Sequence, residues 1–294
     1  MNLNDLLQGQ KIDPKNVLVL RHRPHERKLR EVLPNLAAEK PKVFNAYQST
    51  QGPKLERAME ALVGSGFVAS FIGHEPGKAI FVGLYSIEGA KPLTYDEYWD
   101  IPEYKEMKKF AMQGWCRETD NRQRQFWFDL QCTDFYSSWR GKLIIGWPPP
   151  ERSWWRRAHR NEIPIQAVLE DSALTDVMPK WEEINFTWHR LGILPKKWQE
   201  ELSRWRGIYF IFDENSGKGY VGSAYGEDNL FGRWLNYFKS GDGDNKKLKG
   251  LSPEKFRFSI LQILPHDMEP EKVQHIEKTW KDRLHTREFG LNAN

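Results

Sequence analysis

The residues best suited to chemistry lie in the last third of the chain. Gly207-Ile208-Tyr209 and Tyr220-Val221-Gly222 flank the turn signal DENSGKG, so two strands joined there would bring two phenols onto one sheet face. Downstream, Phe231, Trp234, Leu235 and Phe238 form an i, i+3, i+4, i+7 apolar stripe, leaving Arg233 and Tyr237 one turn apart on another face. A guanidinium on a helix is a rigidly presented fork for an anion. In the last predicted helix, Val273, Ile276, Trp280 and Leu284 mark the buried stripe, and Glu277 falls at its edge, where an aliphatic residue would be the bland choice. A carboxylate directed inward must be paired or metal-bound, because isolated burial of its charge is costly, and Glu277 is therefore a candidate metal ligand.

The elements that must hold these groups are legible as hairpin, helix, loop, strand and helix. Ile208 to Phe212 and Gly219 to Ser223 read as paired strands, Leu230 to Ser240 as a helix, Phe256 to Leu264 as a strand and Pro270 to Leu284 as a helix. Before them, KKWQEELSRW predicts a helix after Pro195, and a domain boundary is expected near residue 190, giving domains 1–190 and 191–294. The first domain reads as short strands between longer polar segments: Asn16 to Arg21, Phe67 to Ile72, Ala79 to Ile87, Gln125 to Gln131, Lys142 to Trp147 and Ile163 to Leu169. Six strands suggest a small barrel. Helices are predicted at about His25 to Ala38, Pro53 to Val63 and Pro102 to Ala111, so the fold class is α+β.

Composition narrows the function classes. A chain of 294 residues exceeds the usual single domain, and its 39% hydrophobic and 29% charged balance, with mean hydropathy −0.72, is that of a soluble protein. No apolar run approaches the roughly 18 residues needed to cross a bilayer, and the start MNLNDLLQGQKID lacks the pattern of a secretory signal. Cys116 and Cys132 cannot make a disulfide framework, which points to a cytoplasmic, reduced protein. They lie too far apart, with no CxxC, to make a convincing zinc site with His22 and His25. The net charge is only +4, so the chain tolerates phosphate backbones without advertising them. Thirteen tryptophans, most of them between Trp99 and Trp205, exceed the usual demand of core packing and offer flat faces for a planar ligand.

The ordered residues of the last domain resemble the GIY-YIG nuclease family over about Leu194 to Asn294. The GIY element is Gly207 to Tyr209, the YIG element Tyr220 to Gly222, the helix arginine Arg233, the metal-binding glutamate Glu277 and the late asparagine Asn292. YVGSA and the closing pattern resemble phage intron-encoded homing endonucleases, whereas Tyr237 looks like the excision-repair branch. Ser223 stands where that branch has lysine, and Lys218 on the hairpin is the candidate substitute.

The resemblance implies a three-stranded antiparallel sheet flanked by helices and the hydrolysis of phosphodiester bonds. That reaction needs an activated water, charge stabilisation on the phosphoryl oxygens and help for the leaving oxygen. A phenol with a pKa of about 10 is a poor base at neutral pH, but nearby cations stabilise phenolate, and family precedent gives Tyr209 the water's proton with Tyr220 beside it. Arg233 is expected to hold a nonbridging oxygen and Glu277 to bind one divalent ion, Mg²⁺ or Mn²⁺. Tyr237 and Asn292 are expected to orient phosphate and the groups nearest it.

Nucleases of this family commonly take their specificity from an attached domain. The stretches NAYQS, RAMEALVGSGFVASFIG and GKAIFVGLYSI loosely resemble PUA-like barrels, especially EVE-type domains that hold a modified base in an aromatic-lined pocket. Such reading extrudes the base and holds it between aromatic faces. Candidate base and DNA contacts are Tyr47, Gln48, Trp99, Trp127, Trp147, Trp154, Arg156 and Arg157. The expected partner is double-stranded DNA with modified bases, no membrane is expected, and a homodimer would supply a second active site for the other strand. The leading function is a modification-dependent restriction endonuclease. Two alternatives stand beside it: a restriction enzyme reading unmodified base edges, and a nucleic-acid-binding or repair-associated protein with a dormant nuclease fold.

Overall fold

A computed structural model describes residues 1–150, 152–175, 178–227 and 229–293, and the chain divides into two compact units, Met1–Asp176 and Val177–Asn294. The division falls earlier than the expected 190. Among the described residues, no helix is long and apolar enough to cross a membrane.

The first unit contains α1 (Leu3–Gly9), β1 (Val17–His22), α2 (Arg27–Glu39), α3 (Pro41–Ser49), α4 (Pro53–Glu60), β2 (Phe67–Gly73), β3 (Lys78–Leu93), α5 (Tyr95–Asp100), α6 (Pro102–Lys108), β4 (Gln125–Cys132), β5 (Leu143–Gly146), β6 (Trp155–Arg157) and β7 (Ile165–Val168). All six expected strands appear. The short β6 and helices α1, α3 and α5 escaped the sequence reading. The strands form a seven-stranded sheet in the order β6-β1-β2-β3-β5-β7, with β4 on the distal half of the long β3. Among the described residues no pairing joins β6 to β7, so the sheet curls without the hydrogen-bonded closure expected of a barrel.

β1 explains the layering. It runs parallel to β2 and antiparallel to β6, and every residue is buried, as expected of an inner strand covered on both faces. Its alternation sends Leu18 and Leu20 into one core with Leu33, Phe44, Leu55 and Met59 of the helices, and Val17 and Val19 into a second core with Leu3, Leu7 and Phe135. The same alternation carries buried Arg21 onto the Trp147 ring and buried His22 between Phe44 and Tyr47.

The second unit contains β8 (Asn185–Thr187), α7 (Trp188–Leu191), α8 (Lys196–Arg204), β9 (Arg206–Asp213), β10 (Lys218–Ala224), α9 (Asn229–Ser240), β11 (Phe256–Leu264) and α10 (Pro270–Arg283). Its antiparallel sheet runs β10-β9-β11-β8. The expected three strands are therefore four, and the additional strand, β8, comes from sequence assigned to the first domain; its pairing with β11 is what draws the boundary back. α8 and α9 cover one face through Trp198, Leu202, Leu230 and Trp234, while Val273, Ile276 and Trp280 of α10 pack on Ile208 and Val221 of the other.

Burial sets a pH test of the first core. Desolvation lowers the His22 pKa to about 4, a hydrogen bond with Gln48 resisting the fall. The unfolded chain, with an ordinary histidine pKa near 6.5, then binds more protons than the folded one between these values. Stability contributed by neutral His22 is present above pH 6.5 and lost as pH falls toward 4. Thermal melts of the wild type should fall through this window, and His22→Phe should flatten the fall by the equivalent of about 3 kcal/mol. Parallel pH profiles for the two proteins would contradict the assignment.

Candidate active site

The site forms at an edge. β10 ends the sheet order, and the tail covers its first half: Asn292 clamps Val221 through both side-chain amide atoms, accepting from Val221 N at 2.9 Å and donating to Val221 O at 2.8 Å, while Leu291 N donates to Gly219 O. The small residues Gly222, Ser223 and Ala224 continue the strand beyond that clamp. There groups from both sheet faces meet in a cleft of about 630 Å³ lined by Tyr209, Tyr220, Ser223, Arg233, Asn236 and Glu277 among others.

Register places the phenols. Tyr209 lies opposite Gly222 and Tyr220 opposite Ile211, so the two tyrosines are diagonal neighbours, with ring centroids 6.4 Å apart. Gly222 is needed for this approach, because a Cβ there would meet the Tyr209 hydroxyl at 2.3 Å. The Tyr209 ring extends across the strand only because that carbon is missing.

Behind the cleft the hydroxyls form a buried chain. Arg233 Nε donates to the Tyr209 hydroxyl at 3.1 Å, the Tyr209 and Tyr237 hydroxyls are 3.0 Å apart, and Asn245 Nδ2 donates to Tyr237 at 2.7 Å. The Arg233 guanidinium also lies over the Tyr237 ring at 5.1 Å. Burial pushes the Tyr209 pKa above the ordinary phenol range and repulsion from Tyr220 adds to this, outweighing Arg233 and the hydrogen bonds that favour phenolate. Tyr237 is raised further, chiefly by burial, so both are neutral phenols at pH 7. Burial opposes the Arg233 charge, but the adjoining Tyr209 and Tyr237 hydroxyls more than restore it. The cation expected to stabilise a Tyr209 phenolate is in place, and by itself it does not overcome burial.

On the α10 side, Glu277 is held at both oxygens. Ser223 Oγ donates to Oε2, and Lys281 Nζ pairs with Oε1 at 2.7 Å. Lys218 sits opposite Asp213 at the far end of β10 and does not line the cleft; Lys281, one turn after Glu277, is the cation beside the carboxylate. Among the described residues no group of three or more His, Cys, Asp or Glu could cage a metal. The donor set fits a hard ion completed by water and phosphate oxygens, the usual habit of Mg²⁺, and does not fit a zinc cage.

Two expected placements differ. The buried stripe of α9 is Leu230, Trp234 and Tyr237, so Tyr237 faces the core against Tyr209, Tyr220 and Phe258 instead of sharing an outer face with Arg233. Asn292 is buried with its amide spent on backbone and does not line the cleft. On α10 the expected stripe also thins, since Val273 is its one buried residue and Leu284 is exposed. Sequence reasoning missed Ser223 as a Glu277 partner, Lys281 and Asn245. An i,i+4 Glu–Lys pair was available as a signal for Lys281, and the GDGDN loop concealed Asn245, whose neighbour Gly243 lies where a Cβ would strike the Tyr237 ring.

The first unit has a larger cavity, about 740 Å³, lined by residues of β1, α2, α3, the segments 23–26 and 50–52 that follow β1 and α3, and the segment from Tyr98 to Gln125, with Arg152 and Trp154 also in its wall. Tyr47 and Trp154 line it, and Gln48 is buried behind, accepting from Ser70 Oγ and donating to Asn45. The other expected base contacts are placed elsewhere. Trp147 is buried between Arg21 and Arg156, whose guanidinium donates to the carbonyls of Pro148, Pro150 and Trp155. Trp99 lies under Lys108, Trp127 beside Tyr104 and Arg157 opposite Leu18 in the sheet.

A family comparison agrees with the order of these residues along the second unit. Residues 206–292 match the family described as the GIY-YIG catalytic domain. A mutant form of the catalytic domain of intron endonuclease I-TevI is similar at 28% sequence identity, over 31% of this chain and 94% of that one, with a TM-score of 0.27. No curated protein matches. The second unit carries a GIY-YIG nuclease domain.

Lys281 yields a test independent of cleavage. Its ammonium occupies a Glu277 oxygen that a divalent ion would need, so Lys281→Met is expected to tighten Mn²⁺ binding severalfold in calorimetry at neutral pH. Unchanged or weaker binding would show that Lys281 is no competitor.

Proposed function

We infer that this chain is a metal-dependent DNA endonuclease whose first unit selects the DNA to be cut by reading a modified base, a modification-dependent restriction enzyme of the cytoplasm. The observation that carries the nuclease reading is the single cleft shared by Tyr209, Tyr220, Arg233 and Glu277. The resemblance of the first unit to modified-base-binding domains, and its aromatic cavity, support the choice of target.

Each residue has a task set by its surroundings. Arg233, held by Tyr209 and resting on Tyr237, presents its guanidinium to a nonbridging phosphate oxygen at a fixed angle. Tyr209 takes the proton of the attacking water, and Tyr220 bounds the cleft beside it. Tyr237 and Asn245 act through Tyr209 by fixing its hydroxyl. Glu277, oriented by Ser223, holds the divalent ion, Mg²⁺ or Mn²⁺, which when bound supplies charge stabilisation at the phosphate and leaving oxygen. Asn292 keeps β10 in register and so positions Tyr220 and Gly222. Two copies on a duplex would cut both strands.

Because burial keeps Tyr209 a phenol, the fraction able to act as base increases about tenfold per pH unit below its pKa. Single-turnover cleavage should therefore rise with a slope near one in log rate between about pH 6.5 and 9. A plateau near pH 7 would remove Tyr209 from the role of base.

The substrate reading is tested by digesting DNA of identical sequence carrying plain, methylated, hydroxymethylated or glucosylated cytosine, with Mg²⁺ present. Cleavage confined to modified DNA is expected, abolished by Glu277→Ala or Arg233→Ala with a loss of about a hundredfold or more. A fixed ladder from plain DNA would instead identify a sequence-specific enzyme, and binding without cutting a dormant one.

A further inference from the structure

The cavity of the first unit has features that the nuclease reading does not use. Its lining includes four arginines, Arg21, Arg23, Arg30 and Arg152, against one acid, Glu26. Among the described residues, Arg23, Arg30 and Arg152 form no ion pair, and all three are exposed, as phosphate-binding groups at a rim must be. Below them the wall turns aromatic: Tyr98, Tyr104 and Trp115 are buried, while Trp154 remains partly open to solvent. Within the wall, His22 Nε2 and Gln125 Oε1 are buried without a hydrogen-bond partner. Buried polar atoms without partners are costly, and a ligand's donors would relieve that cost.

Size then separates the candidate ligands. The cavity of about 740 Å³ falls within the range of roughly 300–1,000 Å³ typical of pockets that enclose ligands of drug size. A bare or methylated cytosine has only about eight or nine non-hydrogen atoms and would leave most of that volume as water. A pyrimidine bearing a hexose has about twenty, the size of ligand that such pockets enclose, and its hydroxyls supply the donors that the unpartnered acceptors lack.

We propose that this cavity holds an extruded base that carries a sugar-sized substituent, with its deoxyribose at the mouth and the flanking phosphates on Arg23, Arg30 and Arg152. The inference rests on the reading that the first unit recognises a modified base. The substituent packs against Trp115 and Tyr98, and the base ring is held near Tyr47 and Trp154. Gly52, the residue before α4, offers a point at which to shrink the space. It lines the cavity, its φ of −71° suits any residue, and a Cβ there would meet nothing within 4 Å.

The test is equilibrium binding of the full-length protein in metal-free buffer, where no cleavage occurs. It uses three duplexes that differ only in one base: cytosine, 5-hydroxymethylcytosine or its glucosylated form. The glucosylated duplex should bind about tenfold tighter than the hydroxymethylated one. Gly52→Leu should erase that gain, and Arg30→Ala with Arg152→Ala should weaken all three alike. Equal or tighter binding of the hydroxymethylated duplex would overturn the size inference and leave modified-base reading intact. Indifference to all three bases would overturn the proposal, and the same indifference to a fourth duplex with 5-methylcytosine would overturn modified-base reading as well. The wild-type comparison needs no variant, so an unfolded mutant would not shield the proposal.

Discussion

A buried phenol tied to a guanidinium is the interaction on which the catalytic unit depends. Tyr209 is fully enclosed, yet its hydroxyl touches Arg233 on one side and Tyr237 on the other. Low local polarity strengthens those hydrogen bonds and makes any unpartnered member costly, so the cluster ties α9 to β9. It also imposes a chemical price: the enclosure that holds Tyr209 still also keeps it protonated. The geometry favours orientation over basicity, and charge entering the cleft must supply the remainder.

The edge position of β10 explains how groups from two faces reach one cleft. The phenols and Arg233 belong to the face covered by α9, and Glu277 to the face covered by α10. Such groups would ordinarily be separated by the sheet. Small residues at the end of an edge strand thin the barrier, and Gly222 does so most directly, since any side chain there would displace the Tyr209 ring. Asn292 protects the rest of that edge by taking the place of a strand.

The sequence disclosed what local spacing controls. The hairpin carrying Tyr209 and Tyr220 was legible from its turn, Arg233 from a helical stripe, and Glu277 from an acid at an apolar edge. The position of Tyr237 was not, because Leu230, Trp234 and Tyr237 satisfy helical periodicity as well as the stripe chosen by hydrophobicity alone. Asn292 and Asn245 act through contacts set only when the tail and the GDGDN loop have folded back. In the first unit, β-branched runs marked six strands, but β6 there and β8 in the second unit are three residues long and stand out from no background. Tryptophans such as Trp147 carry no local sign of whether they will face a ligand or, as here, two guanidiniums.

The central claim is that Tyr209 and Arg233 act as one unit on the phosphate. A double-mutant cycle on single-turnover cleavage, combining Tyr209→Phe with Arg233→Ala, measures it directly. The account predicts strong non-additivity, with the double variant hardly slower than the slower single variant. Rate losses that simply multiply would show that the two groups work independently and would contradict it.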